Sequence, residues 1–269
     1  MSKFDVRELL QKMWEDYVGL NPHVLEIHNI FVERGDDVYN DHIAIRTYNH
    51  PKVCVDVLAR PFLKGGYKEA GNYRFEEKKL NAKHFEHEDE SLPKVFISEL
   101  RLEEFDQELN DIVTGLIDQI PDGVNQEDYF PVSKRVWDVS HETYEKLLEK
   151  SEYAAWVAAF GFRANHFTVY VNKLKSLDNL KDLNEVVREN GFLINESGGE
   201  VKGSKEVYLE QSSTLAGKID LEFSGGKMYR VPACYYEFAL RYPLENGKLF
   251  QGFVAKSADK IFESTDVHR

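Results

Sequence analysis

Apolar residues recur along this chain with two periods, and the places where the period changes divide it into elements. From 5 to 19, Val6, Leu9, Leu10, Met13, Trp14 and Tyr17 fall three or four apart and predict an amphipathic helix. Residues 41–48 alternate and are rich in Ile and Thr, which predicts a strand. Asn49 then offers an N-cap, with Pro51 in the first turn of a helix running to about Leu63, and the GGY at 65–67 ends it. Strand-like runs follow near 72–79, 80–87 and 94–102. Residues 103–160 read as mostly helical, with Ser140 a cap for one of the helices.

After that the order returns. ANHFTVYVN, 164–172, predicts a strand, and 176–191 a helix stopped by Gly191. FLINESGG, EVYLEQSS, GKIDLEFSGG and PACYYEFALRY supply further strands to 242. The chain thus writes strand, helix and about three strands twice, as internal modules at about 40–102 and 164–242 of a single domain, 1–269, with a helical insertion at about 103–160. Each copy opens on a histidine, in DHIAI and NHFTV, and each reaches a glutamate in a strand, Glu99 in SEL and Glu237 in YEFAL.

Composition narrows the function classes. A net charge of −13 argues against nucleic acid and against an anionic membrane surface as partners. No apolar run approaches the roughly 20 residues of a membrane helix. The start, MSKFDVRELLQKMWEDY, has no apolar signal core, and Cys54 and Cys234 lie far apart, so a reducing cytoplasm is expected. An acidic protein binds a small anion only through a local cation, which gives an inward-pointing arginine weight.

Such an arginine stands in the first strand. Alternation puts His42, Ala44 and Arg46 on one face and Ile43 and Ile45 on the other. In the second copy His166, Thr168 and Tyr170 share a face, and in the last strand Glu237, Ala239 and Arg241 do. Each strand has a greasy back and a face with one good metal ligand. Two imidazoles and a carboxylate suit non-haem Fe(II), with positions left for substrate and O2, and also suit Zn with water; ligand type alone does not choose. Arg46 lies about 13 Å along the strand from His42, at about 3.3 Å per residue, so a small dicarboxylate would span from the metal to the guanidinium fork.

Blander readings compete at each position. Arg46 could pair with Glu99, Glu237 could pair with Arg241, and Glu99, taken as the counterpart of Glu237, could be a fourth ligand, although that would crowd out substrate and O2. HFEHE, 84–88, reads as a solvated acidic strand. Trp156, Phe160 and Phe162 read as core, Arg101 and Arg241 as structural as readily as functional, and the remaining histidines as surface, capping or tail residues.

At His42 and Arg46 in DHIAIRT, His166 in ANHFTVYVN and Glu237 in YYEFALR, the chain resembles the 2-oxoadipate dioxygenase/decarboxylase family, within the vicinal oxygen chelate group. SADKIFEST, 257–265, extends the resemblance and points to Ser257, near the C-terminus, as a further substrate contact in addition to Arg46. The resemblance implies an α+β fold of two βαβββ modules forming a half-open barrel with added helices. It implies Fe(II), with Zn or Mn as alternatives, held by His42, His166 and Glu237. The implied reaction takes a small anionic 2-oxo acid and O2, releases CO2, and turns 2-oxoadipate into 2-hydroxyglutarate. The best-understood members are longer, with an insertion late in the chain. Two alternatives stand beside this reading: a metal-dependent hydrolase, lyase or isomerase on the same scaffold, and a non-catalytic module binding a small anion.

Overall fold

The computed structural model describes residues 4–254. Two helices open it, α1 (Val6–Leu20) and α2 (Pro22–Glu33), followed by β1 (Asn40–Tyr48), α3 (Val55–Lys64), β2 (Lys68–Phe75), β3 (Leu80–Glu86) and β4 (Lys94–Leu100). The middle of the chain holds α4 (Gln107–Ile117), α5 (His141–Lys150) and α6 (Glu152–Phe160). Then come β5 (Ala164–Tyr170), α7 (Leu180–Glu189), β6 (Lys202–Ser204), β7 (Leu209–Ser213), β8 (Lys218–Phe223), β9 (Lys227–Pro232) and β10 (Tyr235–Arg241).

Eight strands form one curled half-barrel sheet in the order β2-β3-β4-β1-β5-β10-β7-β6. The order is symmetric about its middle. β1 and β5 pair antiparallel, each is flanked by a parallel partner (β4 and β10), and the remaining strands of each βαβββ unit continue outward. β8 and β9 leave this sheet and form a separate hairpin, inserted between β7 and β10.

The greasy backs of the strands meet helices. Trp14 and Tyr17 of α1 lie against Phe167 at ring-centroid distances of 5.1 and 4.9 Å, and Phe31 of α2 lies on Phe238 at 6.0 Å. Ile43, Ile45 and Val169 are fully buried on the same side. Burying Val, Ile and Phe side chains contributes roughly 1.5–3 kcal/mol each, which fixes the strand register and so decides which residues face the concave side.

The structure corrects several sequence expectations. Helix α3 starts at Val55, not after Asn49, and Pro51 lies in the preceding turn. Asn49 instead accepts the Leu102 backbone N–H and donates to Glu103. Helix α2 is an element the sequence expectations do not include; Val24, Ile27 and Phe31 bury one helical stripe of it. The 103–160 stretch is broken between α4 and α5, where Pro121, left-handed Gly123 and Pro131 permit only short 3-10 turns. FLINESGG is not a strand: Gly198 and Gly199 have φ of 68° and 98°, and Asn195 folds back to accept the Ser197 N–H.

Candidate metal centre

Register brings the candidate ligands together. Thr168 of β5 stands opposite His42 of β1 and beside Glu237 of β10, while His166 stands opposite Ala44 and beside Tyr235. One row across the concave face reads Glu237, Thr168, His42, and the next reads Tyr235, His166, Ala44. The two imidazoles and the carboxylate converge, each offering a ligand atom within 4.8 Å of the others, and all three are buried. Glu237 Oε1 lies 3.4 Å from His42 Nε2, and Oε2 lies 3.3 Å from His166 Nε2.

The far nitrogen of each ring is held by the residue just before it. His42 Nδ1 lies 2.8 Å from Asp41 Oδ2, and His166 Nδ1 lies 3.2 Å from Asn165 Oδ1. Neighbours along a regular strand point to opposite faces, so this arrangement needs a backbone device. The β1–β5 ladder slips at two places: between Asn40 and His42, where Asp41 is the extra residue, and between Ala44 and Ile45, where Asn165 is the extra residue of β5. A β-bulge re-aims the inserted side chain. Both bulges fall on the residue preceding a histidine, so the dipeptides Asp41-His42 and Asn165-His166 each carry a ring and its orienter. The signal stood in DHIAI and NHFTV, but alternation alone would have sent Asp41 and Asn165 to the other face.

The electrostatics separate the two histidines. Burial pushes the His166 imidazole well below its ordinary value, helped by His42 and Arg46, so it is neutral with a lone pair free for a cation. Burial also opposes charge on His42, but Glu237 and Asp41 outweigh it and raise that ring's pKa. Burial would raise the Asp41 carboxyl, yet the Arg241 guanidinium holds it well below the usual carboxylate range. Arg241 grips Asp41 with Nε at 2.6 Å and Nη2 at 2.8 Å. Glu237 does not pair with Arg241 within its strand; Oε1 accepts from Gln211 Nε2 at 2.6 Å.

The donor set fits a cation. Glu237 Oε2 is buried and accepts no hydrogen bond among the described residues. An unsatisfied buried carboxylate oxygen is costly, and a divalent ion between Glu237 and the two Nε2 atoms would remove the cost. Nitrogen ligands whose second nitrogen is fixed by a carboxylate or amide are the usual company of a protein-bound metal.

Arg46 is fully buried on the concave face. Its guanidinium lies 5.1 Å from the Tyr153 ring and 5.3 Å from the Trp156 ring, both on α6, and Nη1 reaches Glu152 Oε1 at 3.3 Å. Trp156 therefore serves the arginine as well as the core. Tyr235 stacks on His166 at 4.6 Å and also feels the Arg46 charge, so it bridges the ligand cluster and the arginine.

Glu99 is not part of this cluster. It stands opposite Thr47, out of phase with His42, and its carboxylate accepts the Val55 N–H at the start of α3 at 2.9 Å. The true counterpart of Glu237 in the first unit is Phe96, paired with Ala44 two residues after His42. His84 is not solvated either. It is buried opposite Phe96, with Nδ1 2.9 Å from Tyr73 Oη and Nε2 3.0 Å from Glu86. Arg101 is structural, ion-paired with Glu76 and Glu104. Ser257 lies outside the described residues. Cys54 and Cys234 are free, and no helix among the described residues is long and apolar enough to cross a membrane.

The chain is similar to known proteins over most of its length. The family model described as 2-oxoadipate dioxygenase/decarboxylase matches residues 6–122 and 130–250. The chain is 34% identical to the chloroplastic 2-oxoadipate dioxygenase/decarboxylase of Arabidopsis thaliana, over 96% of this chain and 77% of that protein. It superimposes on the rice hydroxyglutarate synthase solved in complex with 2-oxoadipate with a TM-score of 0.90 at 30% identity, covering 98% of this chain and 92% of that one. A structure from Shewanella frigidimarina, provisionally described as a hydrolase, is 50% identical with a TM-score of 0.89, covering 94% of this chain and 99% of that one.

Proposed function

The chain belongs to the 2-oxoadipate dioxygenase/decarboxylase family, and from that premise we propose that it converts a small 2-oxo dicarboxylic acid, of the 2-oxoadipate type, into the 2-hydroxy acid one carbon shorter, using O2 and Fe(II). The atoms balance without a further reductant: 2-oxoadipate and O2 together equal 2-hydroxyglutarate and CO2. The observation that carries the reading is the convergence of His42, His166 and Glu237 on one buried point, with Arg46 buried on the same concave face.

Under this reading His42, His166 and Glu237 hold the metal. Fe(II), when bound there, would supply the redox chemistry between the 2-oxo acid and O2. The remaining work falls to the chain. Asp41 and Asn165 keep the imidazoles turned toward the ion, and Gln211 keeps Glu237 in place. Arg46 receives the distal carboxylate and so selects for chain length and for a second acid group. Phe96, Phe253, Tyr235 and Trp156 wall the site with apolar surface, which excludes water and strengthens each charge contact inside.

Oxygen-electrode and CO2 measurements on Fe(II)-loaded protein test the proposal. The expected result is O2 consumption matched by CO2 release with 2-oxoadipate, with neither in chelator-treated protein. Chelator-sensitive hydrolysis of an ester or amide that proceeds equally without O2 would instead favour Zn or Mn and the hydrolase reading.

A further inference from the structure

After β10 the chain turns at 244–248 and comes back, with the Phe250 N–H bonded to the Tyr242 carbonyl. The returning segment, 250–253, lies across one side of the concave face. Arg241 anchors it from one side: the same guanidinium that grips Asp41 donates through Nη1 to the Phe250 carbonyl at 3.0 Å and the Gly252 carbonyl at 2.9 Å. Tyr73 anchors it from the opposite end of the sheet, accepting the Phe253 N–H at 3.2 Å. Between these anchors the Phe253 ring sits edge-on against His42 at 4.8 Å and packs on Phe96 at 4.9 Å. Gln251 of the segment and the preceding Leu249 line a cleft of about 620 Å³ that also contains Lys94 and Tyr170.

Arg241 therefore touches two of the groups that hold His42. Through Asp41 it sets the hydrogen bond on Nδ1, and through two carbonyls it seats the ring that presses on the imidazole. We propose that Arg241 is a positioning residue that couples closure of the 250–253 strap to the orientation of His42, so that the strap closes more tightly when a metal is bound and the metal is held more tightly when the strap is closed. The inference rests on His42 being a metal ligand. A planar guanidinium suits this task because it serves a carboxylate edge and two carbonyls at once in fixed geometry; an ammonium group cannot. Reciprocity follows from linkage: whatever strap closure contributes to metal affinity, the metal contributes to strap closure. Ordering His42 once, for either purpose, lowers the ordering cost of the other.

Hydrogen exchange of the full-length wild-type protein, read by mass spectrometry with and without Zn(II) as a redox-inert probe, tests this without turnover. Zn(II) binding is measured in parallel by competition with a fluorescent chelator. The expected result is slower exchange across 250–253 when Zn(II) is bound, and loss of that slowing in Asp41→Asn. Arg241→Lys should weaken Zn(II) binding by about 10–100-fold, the usual effect of losing a ligand's orienting partner. Zn(II) that binds while exchange across 250–253 stays the same in the wild type overturns the coupling, whether or not Arg241→Lys folds. A wild type that binds no divalent metal removes the metal-centre reading itself, a different failure with a different signature.

Discussion

Under the proposed reading, replacing Arg46 with methionine should separate recognition of the substrate from binding of the metal. Methionine keeps most of the apolar stem that lies between Tyr153 and Trp156 and deletes the charge. The partner left behind, Glu152, is 27% exposed, so water can serve its carboxylate and the fold should survive. A charge-assisted hydrogen bond contributes about 1.5–3 kcal/mol, which corresponds to a roughly 10- to 150-fold rise in KM for 2-oxoadipate. The metal should still bind, because the donor atoms are those of His42, His166 and Glu237, and deleting the Arg46 charge only takes a neighbouring cation away from His166. The control is a 2-oxo acid of the same length without the second carboxylate, such as 2-oxohexanoate. It should react poorly with the wild type and no worse with Arg46→Met, so the variant's penalty appears only when both partners of the contact are present. An equal loss for both substrates, or a loss of metal matching that of His42→Ala, would refute the assigned role.

Other consequences follow from the same geometry. Glu99→Ala should leave metal content unchanged and lower stability by about 0.5–2 kcal/mol in urea unfolding, because it removes an acceptor at the start of α3; loss of metal would make Glu99 a ligand after all. The raised pKa of His42 means that a proton competes with the metal for Nε2. Zn(II) affinity should thus climb as pH rises above 6.5, the ordinary histidine value, and level off once His42's own pKa is passed. Asp41→Asn should move that midpoint to lower pH and lower the plateau, both readable in one chelator-competition series. In the metal-free protein the sign for folding is the reverse: the contacts of protonated His42 stabilise the fold fully below its unfolded pKa and are lost as pH rises through the folded one. A His42→Gln variant should lack that loss in urea titrations across the same range.

Much of this site was legible because a strand has a period of two. Once the isoleucines of DHIAIRT are assigned to the core, His42 and Arg46 have only one face left, and the same reasoning places His166 and Glu237. Periodicity does not cover interruptions of the period. Asp41 and Asn165 reach their histidines only through bulges, which arise from pairing between strands more than 100 residues apart and leave no local mark. Only the matching of Glu99 to Glu237 fails, for a related reason: it aligned the two copies by residue type, whereas the ladder aligns Glu237 with Phe96. His84 looked solvated because its neighbours are charged, yet alternation turns it inward, against the Tyr73 hydroxyl. Phe253 and its strap were invisible, since a single aromatic in QGFV has no pattern to belong to.

The account stands on three side chains sharing one ion, and elemental analysis of anaerobically purified protein tests that most directly. The wild type should carry one divalent metal per chain, and Glu237→Gln, with an unchanged circular dichroism spectrum, should carry almost none. A folded Glu237→Gln protein that keeps the wild-type metal content would contradict the account.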